Sequence, residues 1–303
     1  MAMSAIIGVM QERPPTGFVI LSWNEAQVSV PSALSCINSD LRPTDSLAFV
    51  DNGSSISHIR SFASSFSTLV PTFDIETLTD HRSSNTPYTA SHENIHLLFL
   101  PHNTGPSIGR LKGIELIQNS IQLLFLIDGD ILYVPGSADL YSIALAKASE
   151  SGIEVGCVGC SIPSHVAKTG TNGTMNLEEA DEEVPFFRPY AVFQGLPMAW
   201  TQYGLFRREL VEQGLPSFGV FGEAGHGYED DWLCQHMIEA GHPPLHIEGP
   251  MYYHQASSGL RELEKAGLQS RTHERMIEFY KRWPNAGSWK NFRNCRRLFS
   301  ISR

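Results

Sequence analysis

Short apolar runs that each stop at a polar loop organise the first half of the chain. Phe18–Leu21, Leu47–Val50, Ile95–Leu100 and Ile121–Ile127 are too short to span a membrane and read as buried strands. They end at Ser22-Trp-Asn-Glu25, Asp51-Asn-Gly-Ser-Ser55, His102-Asn-Thr-Gly105 and Asp128-Gly-Asp130. Helical spacing follows each loop. Val30, Leu34 and Ile37 predict a helix with Pro31 near its start, and Ile56 to Phe66 predicts a second. Ile108, Leu111, Ile114, Leu116 and Ile117 mark a third, and a fourth spans Ser137 to Ser151. Successive strand, loop and helix units imply a parallel sheet with right-handed crossovers. Ligands of such open α/β sheets bind beyond the carboxyl ends of the strands, where these polar loops stand.

Other stretches carry weaker patterns. Residues 1–15 form a leader ending at Pro14-Pro15, and residues 67–94, polar and without a clear period, read as a surface insertion. Ile153 to Ile162 is a further strand. Residues 161–187 form a variable polar loop with an acidic run, Glu178 to Glu183, that reads as a solvated face. Phe186–Phe193 and Met198–Phe206 are aromatic and strand-like, as are Leu245–Ile247 and Met251–His254. Between them, Gly225-His-Gly-Tyr-Glu229-Asp-Asp-Trp-Leu233 opens an amphipathic helix on three consecutive acids. Residues 256–303 read as a helical, basic extension, with Arg293, Arg296 and Arg297 near its end.

A chain of 303 residues can bury a sizeable core, and its net charge of −10 argues against a general nucleic-acid binder, which needs a basic face. No segment reaches transmembrane length and the first residues lack a signal-peptide pattern, so a cytoplasmic address is expected, with peripheral membrane contact left open. Five scattered cysteines do not make a disulfide framework; Cys157 and Cys160 form a lone CxxC, more economically read as buried thiols than as a zinc or redox pair.

Two carboxylate clusters are the candidate chemistry. Asp128 and Asp130, held apart by one glycine at a strand end, suit a divalent metal and a diphosphate, but aspartates there also cap turns and helices, and both readings stand on this stretch alone. Asp51 either binds a nucleotide base or ribose or closes a turn in which Gly53 takes a positive φ. Arg110 and Lys112 lie in early helical turns from which a diphosphate is within reach; a solvated face is the alternative. Glu229, Asp230 and Asp231 exceed what helix capping requires, though acids at a helix start are ordinary. Trp200 and Tyr203 offer flat area for stacking on a sugar or, equally, core packing.

Strand-SWNE, strand-VDNGSS, strand-NTGPSIGRLKG, strand-LIDGD, LFRRELVEQG and GYEDDWL, in that order, resemble the family-2 glycosyltransferases of the GT-A fold. The resemblance covers roughly residues 17–254. It implies a GT-A catalytic domain over residues 16–255, with a Rossmann-like, mostly parallel central sheet flanked by helices. It also implies an enzyme that moves a sugar from a nucleotide-diphospho-sugar, a UDP-sugar above all, to a hydroxyl acceptor. By the same resemblance Asp51 reads the base, Asp128 faces the nucleotide and ribose and contributes to the metal site, and Asp130 and His254 bind Mn²⁺ or Mg²⁺. Asp230 is the general base of the Glu229-Asp230 pair, with Asp231 leaving that assignment ambiguous by one position. Ser22, Asn24, Glu25, Asn52, Gly105, Arg110 and Gly129 complete the donor site, and Trp200, Tyr203 and Tyr228 are placed towards the acceptor. Leu111-Lys112 after Arg110 departs from the Arg-Asn pair of many relatives. A carboxylate base opposite the leaving group implies inversion at the anomeric carbon, with a retaining enzyme as the near alternative. A phosphatase with aspartate-x-aspartate after a strand, and a silent sugar-nucleotide-binding module, are readings from other classes. The acceptor is open among a glycan, a lipid-linked saccharide, a protein, a small molecule and a modified base, as is the oligomeric state.

Overall fold

The computed structural model describes residues 12–150, 152–160, 203–218 and 229–247, together with 187–189, 192–193, 196–197, 253–254 and 281. In chain order the elements are β1 (Thr16–Ser22), α1 (Ala26–Ser39), β2 (Ser46–Asp51), α2 (Ile56–Ser61), α3 (Ala63–Leu69), α4 (Ile75–Ser83), β3 (Tyr88–His92) and β4 (Ile95–Phe99). They continue with α5 (Pro106–Ile114), β5 (Leu123–Asp128), β6 (Ile131–Leu132), α6 (Ser137–Glu150), β7 (Cys157–Cys160), β8 (Phe187–Pro189), β9 (Val192–Phe193) and β10 (Leu196–Pro197). The last are β11 (Tyr203–Arg207), α7 (Arg208–Phe218), α8 (Glu229–Glu239), β12 (Pro244–Ile247) and β13 (Tyr253–His254).

Nine strands form one sheet in the order β3-β4-β2-β1-β5-β11-β7-β12-β8. The run β4-β2-β1-β5 is parallel throughout. β11 is antiparallel to both its neighbours, β5 and β7, so β7 and its parallel partner β12 regain the common direction. Only β3, β11 and β8 run against it, which bears out the expected mostly parallel α/β sheet. Both faces are covered, as an all-apolar strand demands. Phe18 and Ile20 of β1 pack with α1, α3 and α6 side chains such as Val30, Phe66 and Tyr141, whereas Val19 and Leu21 pack with Ile114, Val211 and Met237 of α5, α7 and α8. The period of two in the strand thus divides the core into two layers. Among the described residues no helix is long and apolar enough to cross a membrane.

Several boundaries differ from expectation. α1 begins at Ala26 and carries Pro31 inside it. The helix read over 56–66 is two, α2 and α3, with Phe62 closing the first and opening the second. Residues 67–94, for which no period was readable, hold α4 and the edge strand β3, anchored by Phe73, Leu78 and Tyr88, all buried. Their polar character reflects short pieces with few buried positions, Leu78 alone in α4, too few for a period to show. Of the CxxC, Cys157 is buried and in no disulfide, as are Cys36 and Cys234, and burial first, then Asp230, pushes its pKa up. Residues 1–11, most of 161–187 and the extension 256–303 apart from position 281 lie outside the described residues.

The amino ends of β1 and β2 are tied by a buried ion network. Arg13 donates from Nη2 to Asp45 Oδ2 and to the Asp40 carbonyl, both at 2.7 Å, and from Nε to Asp139 Oδ1 at 2.8 Å. The second Asp45 oxygen accepts the Thr16 amide at 2.8 Å, which starts β1. Asp40 accepts from Tyr133 Oη and from the Gly136 and Ala138 amides, tying α1 to the start of α6.

Candidate active site at the carboxyl edge of the parallel strands

Register brings the polar strand ends side by side: Ser22 lies opposite Asp51, Leu21 opposite Asp128, and Asp51 opposite Phe99. Their loops are then knitted together. The Asn24 amide donates to Ser54 Oγ at 2.7 Å and the Ser55 amide returns to Asn24 Oδ1 at 3.0 Å, with Asn24 held at φ 56°. Asn52 joins the same loop to the next one. Its Nδ2 donates to Asn103 Oδ1 and the Gly105 carbonyl, and its Oδ1 accepts from the Thr104 amide and hydroxyl. All four hydrogen-bonding positions of that amide are used within the protein, so Asn52 acts as a clamp rather than the donor contact expected of it. Gly53, at φ +83°, fits because a Cβ there would stand 2.2 Å from the His102 carbonyl carbon.

Asp51 combines both readings of its sequence context. Its Oδ1 accepts the Ser54 amide at 3.0 Å, closing the turn, and also the Arg82 guanidinium at 2.8 Å. Burial raises the Asp51 pKa, against the opposing pull of Ser54 and Arg82. Arg82 comes from α4, inside the stretch read as an insertion. Nothing in the local sequence signals it, because the pair spans 31 positions and depends on the turn of α4 onto the sheet. Its Nη1 donates to the Pro101 carbonyl, and its Nε has no hydrogen-bond partner among the described residues.

Asp128 and Asp130 flank a glycine with no room for a side chain. A Cβ at Gly129 would lie 2.8 Å from both the Leu21 carbonyl oxygen and Ser22 Cα, and 3.1 Å from Glu25 Oε2. The Glu25 carboxylate therefore sits over the Asp128-Gly-Asp130 turn. Ser22 itself is buried, its hydroxyl 2.9 Å from Ser29 Oγ, and so serves α1 rather than a ligand. β6 follows the turn and pairs with β13, placing His254 opposite Ile131, the neighbour of Asp130; the His254 side chain lies outside the described residues.

Arg110 was expected to reach outward for a diphosphate. Instead it is 1% exposed and turned inward, with Nη2 2.5 Å from Asp128 Oδ1 and Nη1 3.9 Å from Glu229 Oε1. The cause is local: Gly109 and Gly113 lay α5 against β1 and β2, so the Arg110 side chain emerges beneath the strand ends. Glu229 and Asp230 open α8 on the other side and are both buried. Asp231 belongs to the same turn, with its side chain outside the described residues. Burial alone would lower the Arg110 pKa; Asp128, then Glu229 and Asp230, outweigh it and raise it. Burial also raises Asp128, opposed by Arg110 and reinforced by Asp130 and Glu229. One guanidinium thus faces more carboxylates than it can neutralise.

That surplus fits a hard divalent cation. Among the described residues no three His, Cys, Asp or Glu side chains gather closely enough to cage a metal ion. Asp128 and Asp130 are two carboxylates, fewer than a closed protein cage for such an ion requires.

Tyr203 is corrected outright. It is fully buried against Phe125, Tyr133 and Tyr141, its hydroxyl donating to Ser137 Oγ and accepting the Val134 amide. It belongs to the core, where its hydroxyl finds partners, and cannot stack on an acceptor. Trp200 and Tyr228 lie outside the described residues.

The chain is similar in fold to a solved mannosyltransferase and to TarS of S. aureus. Mannosyltransferase PcManGT from Pyrobaculum calidifontis, solved with GDP-Man and Mn²⁺, is 15% identical over 88% of this chain and 65% of its own, with a TM-score of 0.49. TarS residues 1–349 are 14% identical over 79% of this chain and 59% of theirs, at 0.45. Their complex with UDP-GlcNAc is 13% identical over 80% and 61%, at 0.44. The chain spans less than two thirds of each of these structures. No protein-family model and no curated protein sequence matches it.

Proposed function

We propose that the protein is a metal-dependent glycosyltransferase that moves a sugar from a nucleotide-diphospho-sugar, with UDP favoured, to a hydroxyl acceptor, and that residues 16–255 are its catalytic unit. The observation that carries this reading is the convergence of Asp51 and Asp128 at the ends of β2 and β5, the two strands that flank β1, and of Asp130 just beyond, with Glu229 and Asp230 at the start of α8, Arg110 linking Asp128 to Glu229. This is where an open α/β sheet binds its ligand.

The Asp51–Arg82 pair sets an acceptor beside a donor at this strand end, a pattern that the N–H and C=O of a uracil edge can meet. Asp128 and Asp130 would hold Mn²⁺ or Mg²⁺; the ion supplies Lewis-acid stabilisation of the departing diphosphate. Asp230 accepts the proton of the attacking hydroxyl. Glu229 stands beside Arg110 as its counter-ion, which leaves the neighbouring aspartate for the base. Attack from the side of Asp230, opposite the leaving group, inverts the anomeric carbon.

A screen of nucleotide-sugars by thermal shift and by hydrolysis, with Mn²⁺ and Mg²⁺, tests the class. A hit is expected that disappears in Asp130→Ala, while Asp230→Asn keeps donor binding and loses about 10²- to 10⁴-fold in transfer. Full transfer by Asp230→Asn removes the base assignment, and proton NMR showing retained configuration removes inversion.

A further inference from the structure

Arg110 sits in a contact that is only half made. Its Nη2 is bonded to Asp128, but among the described residues its Nε and Nη1 are buried without hydrogen-bond partners, as is Glu229 Oε2. The 3.9 Å from Nη1 to Glu229 Oε1 is beyond hydrogen-bond reach. Leaving buried donors and a buried carboxylate oxygen unpaired is costly, and a shift of roughly 1 Å would close the gap. Exposure is also asymmetric: the Asp128 side chain is 27% exposed, whereas those of Arg110 and Glu229 are 1% and 8%. A cation entering from the crevice therefore meets Asp128 first, with the guanidinium behind it and the unmet Glu229 beyond.

We propose that Arg110 is a resident counter-ion and a positioning residue, which holds Asp128 in the cation-free protein and moves onto Glu229 when a divalent cation takes Asp128. The proposal rests on the reading that Asp128 and Asp130 accept such an ion. A dication and a guanidinium on one carboxylate repel each other, and the displaced charge is received by the nearest acceptor with an unpaired oxygen. Glu229 is that acceptor, and it is the first residue of α8. Bonding it anchors the turn that carries Asp230, so arrival of the ion fixes the base before the acceptor enters. Arg110 contacts neither substrate nor reacting atoms in this scheme; it acts through the two carboxylates.

The test is Mn²⁺ titration of the full chain without nucleotide, read from the electron paramagnetic resonance signal of free Mn²⁺. Arg110→Gln is expected to bind Mn²⁺ more tightly by on the order of tenfold, since the competing charge is gone. Glu229→Gln is expected to bind about threefold more weakly, because Arg110 loses the place it moves to. In the Arg110→Gln background the Glu229 substitution should change affinity by less than about twofold, since its effect passes through Arg110. An undiminished Glu229 effect in that background marks direct charge attraction and overturns the proposal, as does weaker or unchanged Mn²⁺ binding by Arg110→Gln. If Arg110→Gln does not fold, Arg110→Met completes the cycle, because it keeps the buried stem and removes the charge that moves between the two carboxylates. There too a full-sized Glu229 effect overturns the proposal. A wild-type chain that binds no Mn²⁺ even with UDP present would overturn the transferase reading as well, which separates the two failures.

Discussion

Arg13 and Arg110 are both almost fully buried and both lie at an end of the same parallel strands, facing carboxylates from two other elements. At the amino ends Arg13 bonds through two nitrogens to Asp45, Asp139 and the Asp40 carbonyl, leaving only Nη1 unbonded. At the carboxyl ends Arg110 bonds through one nitrogen and leaves two unbonded. The amino-end network also closes on the backbone, through the Thr16, Arg42, Gly136 and Ala138 amides. A buried charge bonded through most of its donors fixes chain geometry; one that leaves most of them unbonded keeps capacity for an ion or a substrate. The same strands thus carry a structural end and a chemical end.

The comparison breaks most clearly at Asp45. Asp45→Ala strips a partner from Arg13 and from the Thr16 and Arg42 amides, and is expected to destabilise the fold by roughly 3–5 kcal/mol, the usual cost of breaking a buried pair on one side. Asp128→Ala removes the one hydrogen-bonded partner that Arg110 has among the described residues but leaves Glu229 within a short shift, so less than half that loss is expected. Denaturant unfolding of the two variants decides the matter, and equal or reversed losses would erase the distinction between the ends.

A smaller effect sharpens the picture at the chemical end itself. Gly129→Ala puts a methyl group 2.8 Å from Leu21 O and Ser22 Cα, neither of which can rotate away. The turn must shift, at about 1–3 kcal/mol, the range for overpacking. Donor affinity should fall along with stability, because Asp128 and Asp130 move with the turn. An alanine variant with unchanged donor binding would mean that the glycine serves packing alone.

The strands were legible because short apolar runs ended by polar loops have few other solutions. Asp51, Asp128, Asp130, Glu229 and Asp230 were legible as candidates for the same reason, each standing at a strand end or helix start. What stayed hidden depends on direction and distance. Arg110 turns inward because α5 packs on glycines, which a helical period does not report. Arg82 meets Asp51 across 31 positions. Tyr203 offered the same flat ring to a sugar or to a core, and only its strand partners decide between them. Asn52 has the side chain of a ligand contact, but the neighbouring loop uses all of it.

The mildest effect is expected at Asp51, where the two ends of the comparison meet in one residue: bonded to Arg82 and Ser54, yet with its pKa raised by burial. An acid whose folded pKa exceeds its unfolded value keeps its proton in the native state over an interval in which the unfolded chain has lost it. Stability then falls as pH rises through that interval and is flat above it. Wild type should therefore lose stability relative to Asp51→Asn as pH climbs from the ordinary carboxylate range to the raised value, with a slope of no more than about 1.4 kcal/mol per pH unit. Unfolding of both proteins at a series of pH values gives that difference directly. The opposite slope would mean that Arg82 outweighs burial, which would make Asp51 a closed structural pair like Asp45 and leave the base-reading role to other residues.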